Sequence, residues 1–158
     1  LMPEIEEFKD KSIREEVINI DRVARVVKGG RRFSFRALVV VGDEKGQVGV
    51  GVSKGSDVQK AITKATAVAK KNMKKMNLAG DTIPHDSQTR VSGAVVLLKR
   101  AAPGTGMKDS GLIRTVLEVA GVKDILSKSI GSSNKINIAY ATVKALDELE
   151  LKENWVTS

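Results

Sequence analysis

Twenty-one consecutive residues, Arg22–Gly42 (RVARVVKGGRRFSFRALVVVG), carry six basic side chains and no acidic one. Apolar, partly alternating segments flank a Lys28-Gly29-Gly30-Arg31-Arg32 centre, the pattern of a β-hairpin. Gly-Gly suits a type I′ turn there. The tip is then strongly cationic, with the aromatic pair Phe33 and Phe35 at its base. Like charge concentrated in this way opposes the compact state unless an anionic partner answers it. A nucleic acid is the first such partner to consider.

The charge is confined to one part of the chain. Of the 158 residues, 1–21 hold three basic and seven acidic side chains, 22–80 hold fourteen and three, and 81–158 hold ten and nine. A local excess of +11 marks a polyanion-binding face more sharply than the net +8 of the whole chain. Aromatic residues make up only 3%, so the core is built from Val, Ile, Leu and Ala. The absence of cysteine removes disulfides and thiolate metal sites and fits a reducing compartment. The longest apolar runs, Ala37–Val41 and Ala94–Leu98, are five residues each and too short to span a bilayer. The acidic, amphipathic start of the sequence is unlike a secretory leader.

The order of elements points to an α+β chain of two small units. Residues 1–15 read as an acidic tail. Strands are expected over Glu16–Lys28, Phe33–Val41 and Gln47–Val52. Val48, Val50 and Val52 share one face of the third strand, and Gly49 and Gly51 leave the other open to a close-approaching backbone. Ser56 and Gln59 form a capping box for a helix whose buried stripe is Val58, Ile62, Ala65, Ala69, Met73 and Met76. Its lysines, Lys60 to Lys75, fall outside that stripe. This first unit ends near Gly80. The second, 81–150, reads β-α-β-α. A strand over Gly93–Arg100 precedes a helix capped by Asp109 or Ser110 and closed by Gly121. A strand over Asp124–Ile130 then leads to a helix opened by Asn134. Residues 151–158 form a tail containing the lone Trp155.

No catalytic constellation emerges. The stretch Gly104–Gly111 lacks the Lys-Ser/Thr that follows the last glycine of a phosphate-binding loop, and its glycine spacing does not fit the dinucleotide fingerprint. Turn geometry accounts for it. His85 is the sole histidine and has no ligand set around it in the sequence. No cofactor and no metal are expected, nor is a membrane or homo-oligomeric role.

The segments NIDRVARVVKGGRRFSFRALVVVGDEKGQVGVG, RTVLEVAGVKDILSKSIGSSN and AYATVKAL closely resemble the bacterial-type small-subunit ribosomal protein five family, in order from about Glu16 to Leu149. The resemblance implies a double-stranded-RNA-binding-like first domain and a β-α-β-α second domain with a left-handed crossover, and no catalysis. It implies a ribosome-bound, cytoplasmic protein on small-subunit rRNA, near where messenger RNA enters. The fourth and eighth small-subunit proteins would be its neighbours, and it would support decoding fidelity. Carried over by residue, the rRNA-facing hairpin is Arg22, Arg25, Lys28, Gly29, Gly30, Arg31 and Arg32, with Phe33, Arg36 and Lys54 added as flanking RNA-binding residues. Arg114 maps to the contact with the fourth protein. Val50, Ser53, Gly55, Val91, Arg100 and Asp109-Ser110 depart from the usual family pattern. The alternative of a free double-stranded-RNA-binding regulator or chaperone fits less well, because such proteins use lysines at a helix start. Here they crowd the helix end. An enzyme reading rests only on fold analogy with small-molecule kinases.

Overall fold

The computed structural model describes residues 13–107 and 111–151. The acidic tail up to residue 12, the expected caps Asp109 and Ser110, and Trp155 lie outside the described residues. The chain is α+β. A four-stranded antiparallel sheet runs β1 (Arg14–Val27), β2 (Gly30–Gly42), β3 (Gln47–Gly55) and β4 (Lys74–Lys75), with helix α1 (Val58–Lys71) between the last two. A three-stranded antiparallel sheet follows, β5 (Ser87–Val91), β6 (Ala94–Arg100) and β7 (Ile125–Gly131). Helix α2 (Leu112–Ala120) precedes β7, and α3 (Lys135–Asp147) follows it.

The apolar run Ala37–Val41 does not alternate with polar residues because β2 is covered on both sides. Ala37, Val39 and Val41 face α1 and share a cluster with Ala61, Ala65 and Ala69. Leu38 and Val40, with Val48 and Val50 of β3, face the other way. They join a core with Val96, Leu98, Val116, Leu117, Leu146 and others of the second half. A bulge in β1 between Val17 and Asn19 leaves Ile18 unpaired and turns it toward this larger core.

Gly49, Gly51 and Gly55 do receive a close-approaching backbone, that of α1. A Cβ on Gly51 would collide with the Ala65 carbonyl oxygen and the Ala69 amide nitrogen. This proximity explains why only alanines of α1 are fully buried, the expected Ala65 and Ala69 together with Ala61, while Ile62 and Met73 pack partly buried at their side. Val58 is instead exposed at the first turn. The N-cap is Asp57, not Ser56. Its carboxylate accepts the Lys60 backbone N–H at 2.8 Å.

Other elements also differ from expectation. The helix stops at Lys71, and Lys74–Lys75 add to the edge of β3 as a short strand. The polar stretch before Val91 contains a strand, β5, so the second unit begins with a hairpin. Gly111 occupies the N-cap position of α2. The expected closure of α2 by Gly121 and opening of α3 by Asn134 are both observed.

Candidate nucleic-acid interface

The β1–β2 hairpin outruns its sheet. Pairing of β2 with β3 ends at Phe35 and Gly55, whereas pairing of β1 with β2 continues through Ala24–Phe33, Arg25–Arg32 and Val26–Arg31 to Val27–Gly30. The five pairs beyond Phe35 form a two-stranded ribbon, roughly 17 Å long at about 3.4 Å per residue. The turn itself is Lys28-Gly29. Gly29 has φ +100° and Lys28 does not have positive φ. That sign pattern belongs to a type II turn, so the expected type I′ turn centred on Gly29-Gly30 is not formed.

Register distributes the cations. Arg25 and Arg32 sit directly opposite each other and share one face with Arg36 and Lys54, themselves a cross-strand pair of β2 and β3. Arg22, Arg31 and Phe33 lie on the other face, where the Arg22 guanidinium stands 3.8 Å from the Phe33 ring centroid. Lys28 projects at the tip. Arg22, Arg25, Lys28, Arg31 and Arg32 are all exposed, and none forms an ion pair among the described residues. Val26 at the ribbon's end is 80% exposed. Like charges directly across a strand pair oppose its formation.

Arg36 is placed differently. Its Nη2 donates to Asp21 Oδ2 at 3.1 Å, and its Nε is buried without a partner in the described residues. Asn19 Nδ2 donates to the other Asp21 oxygen at 2.9 Å, and Lys135 Nζ reaches Asn19 Oδ1 at 3.4 Å. The hydrogen bond from Asn19, then that from Arg36, holds the Asp21 carboxyl below its ordinary pKa. Arg36 thus fastens the ribbon's base, and Asp21 with Asn19 are the residues that sequence reasoning passed over. The signal was Asp21 itself, the carboxylate immediately before the basic run.

Arg114 lies on the exposed side of α2, away from buried Ile113, Val116 and Leu117. Its Nε donates to Glu118 Oε1 at 2.9 Å, and Arg14 Nη2 meets the other Glu118 oxygen at 3.6 Å. The glycine-rich stretch serves the fold: the Gly106 N–H donates to the Asp124 carboxylate at 2.9 Å, and its carbonyl accepts from Ile125. His85 accepts the Glu150 backbone N–H at Nε2, 2.9 Å, and joins its own loop to the segment that follows α3. Among the described residues no cluster of His, Asp or Glu could hold a metal, and no helix is long and apolar enough to cross a membrane.

Residues 13–77 match the family model for ribosomal protein S5, N-terminal domain, and residues 89–156 match that for ribosomal protein S5, C-terminal domain. The chain belongs to the ribosomal protein S5 family. The two matches cover most of its length and follow the order of the two sheets. S5-family proteins are structural, non-enzymatic constituents of the ribosome, and membership carries binding to small-subunit rRNA and to other ribosomal proteins.

Proposed function

We propose that this S5-family protein anchors to small-subunit rRNA chiefly through the β1–β2 ribbon, as a ribosome-bound protein of the cytoplasm. The Arg25–Arg32 cross-strand pair carries the reading. Two arginines set directly opposite each other on an unsupported ribbon, neither paired with a carboxylate among the described residues, are tolerated when phosphates answer their charge. Cations on both faces and at the tip suit a finger inserted between RNA segments. Arginine grips phosphate oxygens bidentately, and the Arg22–Phe33 stack offers a surface to an unpaired base. The free-regulator alternative gains little support, since α1 opens with the carboxylate of Asp57 at its cap and a single lysine, Lys60, in its first turn, while Lys70 and Lys71 close it.

The resemblance extends the reading to a position near where messenger RNA enters, with the fourth and eighth small-subunit proteins as neighbours and a role in decoding fidelity. Exposed Arg114, on a helix remote from the ribbon in sequence, fits a contact with the fourth protein rather than with rRNA.

Filter binding of the protein to small-subunit rRNA across a salt series tests the anchor. Replacing Arg31 and Arg32 with Gln keeps the turn and removes two charges. Each lost phosphate contact is expected to flatten the slope of log affinity against log salt by roughly 0.7–0.9. Weaker binding with an unchanged slope would show that these arginines neutralise no phosphate.

A further inference from the structure

The three-stranded sheet is covered on one side. Thr89, Ala94, Val96, Leu98 and Ile125 point inward and are buried. The pleat sends Val95, Leu97 and Lys99 of β6 outward. Register sets Ile130, Lys128 and Leu126 of β7 on one side of them, and Arg90 and Gln88 of β5 on the other. A sheet open on one face ordinarily alternates apolar inward with polar outward. Here four outward positions are branched aliphatics. Ile130 and Leu126 keep 52% and 39% of their surface exposed, and Val95 and Leu97 are half-buried.

The surrounding charge is mostly positive. Arg90, Lys99 and Lys128 are exposed and form no ion pair among the described residues. The one bordering carboxylate, Asp86 ahead of β5, is engaged by the Arg100 backbone N–H at 2.9 Å. Two clefts, of about 320 and 230 Å³, indent the face. Leu97 and Lys99 line both, Leu126 and Lys128 complete the larger, and Asp86 lies at the smaller.

We propose that this open face docks a partner protein whose aliphatic surface is fringed by carboxylates. The inference rests on the ribosomal reading in one respect, that the partner is another protein of the small subunit. Charge selects an acidic rim, which steers approach and fixes register, while contiguous exposed aliphatics mark an interface centre. RNA is the poorer occupant. Its only apolar surfaces are base faces, which aromatic rings and guanidinium planes recognise, and this face has no aromatic residue and one guanidinium, Arg90, on its edge strand. A second copy of the same face would set Lys99 and Lys128 against their own counterparts.

Photo-cross-linkable residues placed at Leu126 and, separately, at Arg31 test the surface in assembled small subunits. Position 126 is expected to join a carboxylate-bearing segment of another protein, and position 31 to join rRNA. A product of position 126 with RNA or with a second copy overturns the proposal. So does no product there while position 31 still reacts. Absence of the protein from the subunit overturns the ribosomal reading and the docking surface with it. Lys99→Glu combined with Lys128→Glu, both exposed positions, should weaken the partner roughly tenfold or more and leave affinity for naked rRNA unchanged. Partner binding that survives the double charge reversal, or an equal loss of rRNA affinity, excludes the acidic-rimmed protein.

Discussion

Asp21 shows how one carboxylate can serve a cationic site without touching its ligand. It pairs with Arg36 at the ribbon's base, and hydrogen bonds from Asn19 and Arg36 lower its pKa. A carboxyl held below its ordinary value stabilises the fold at neutral pH, and the contribution disappears as pH falls through the folded-state value, below about pH 4. Asp21→Asn should therefore cost stability at neutral pH, by under ~1 kcal/mol because the pair is partly exposed. Thermal melts should show the two proteins converging in acid. A difference that grows on acidification would contradict the pairing. At Arg114 the expected effect is functional. Its exposed bond to Glu118 is a surface i,i+4 pair worth about 0.3–0.5 kcal/mol. Arg114→Leu should barely change stability or rRNA affinity, yet raise misreading in a decoding reporter. Loss of naked rRNA binding with the protein contact intact would instead place Arg114 on RNA. The cations themselves were legible in the sequence as a run. Which of them is held by a carboxylate was not, because that depends on the register placing Asp21 opposite Arg36.

The elements read most clearly were those whose apolar pattern is strong: the hairpin, β3, β6 and the three helices. Those that escaped have reasons. Lys74–Lys75 joins the sheet through backbone pairing alone, with both side chains exposed. Strand β5 hides its inward position behind Thr89, a polar residue whose hydroxyl donates to Glu148 Oε2 at 3.2 Å. The expected stripe of helix α1 holds at Ala65 and Ala69 but includes exposed Val58 and omits Ala61, since propensity and periodicity do not report how near a sheet will lie. The glycines of β3 did report it. Where a Cβ on Gly51 would meet the backbone of α1, Gly51→Ala must push the helix away, at about 1–3 kcal/mol or more. Gly29→Ala meets nothing within 4 Å and costs only the strain of its positive φ, about 1–2 kcal/mol. Denaturant midpoints should fall for both, with rRNA affinity at low denaturant spared in Gly51→Ala. An unshifted midpoint for Gly51→Ala would mean that α1 does not sit against β3 as described.

At the scale of the molecule, we infer that the two S5 segments, expected as units 16–80 and 81–150, fold as one. The four-stranded sheet has two buried faces, and only one is covered from within its own segment. Leu38, Val40, Val48 and Val50 are buried with residues of α2, α3 and β6. Hydrogen bonds cross the same boundary: the Gly46 N–H to the Ala120 carbonyl at 2.8 Å, Asn77 Nδ2 to the Leu149 carbonyl at 3.0 Å, and Glu44 N–H to the Val119 carbonyl at 3.0 Å. Cutting the chain after Gly80 would leave those four side chains facing water. Burying an aliphatic side chain stabilises by about 1.5–3 kcal/mol, so their exposure costs roughly 6–12 kcal/mol. That is comparable with the entire stability of an ordinary domain, about 5–15 kcal/mol. The fragment also keeps the chain's cationic excess without the second half's contacts to offset its repulsion. A fragment of residues 13–80 should therefore show no cooperative melt, whereas the full chain should unfold in a single transition with coincident optical probes. A cooperative transition in the fragment, at a midpoint near that of the full chain, would establish two independent domains and reduce the shared core to a docking contact.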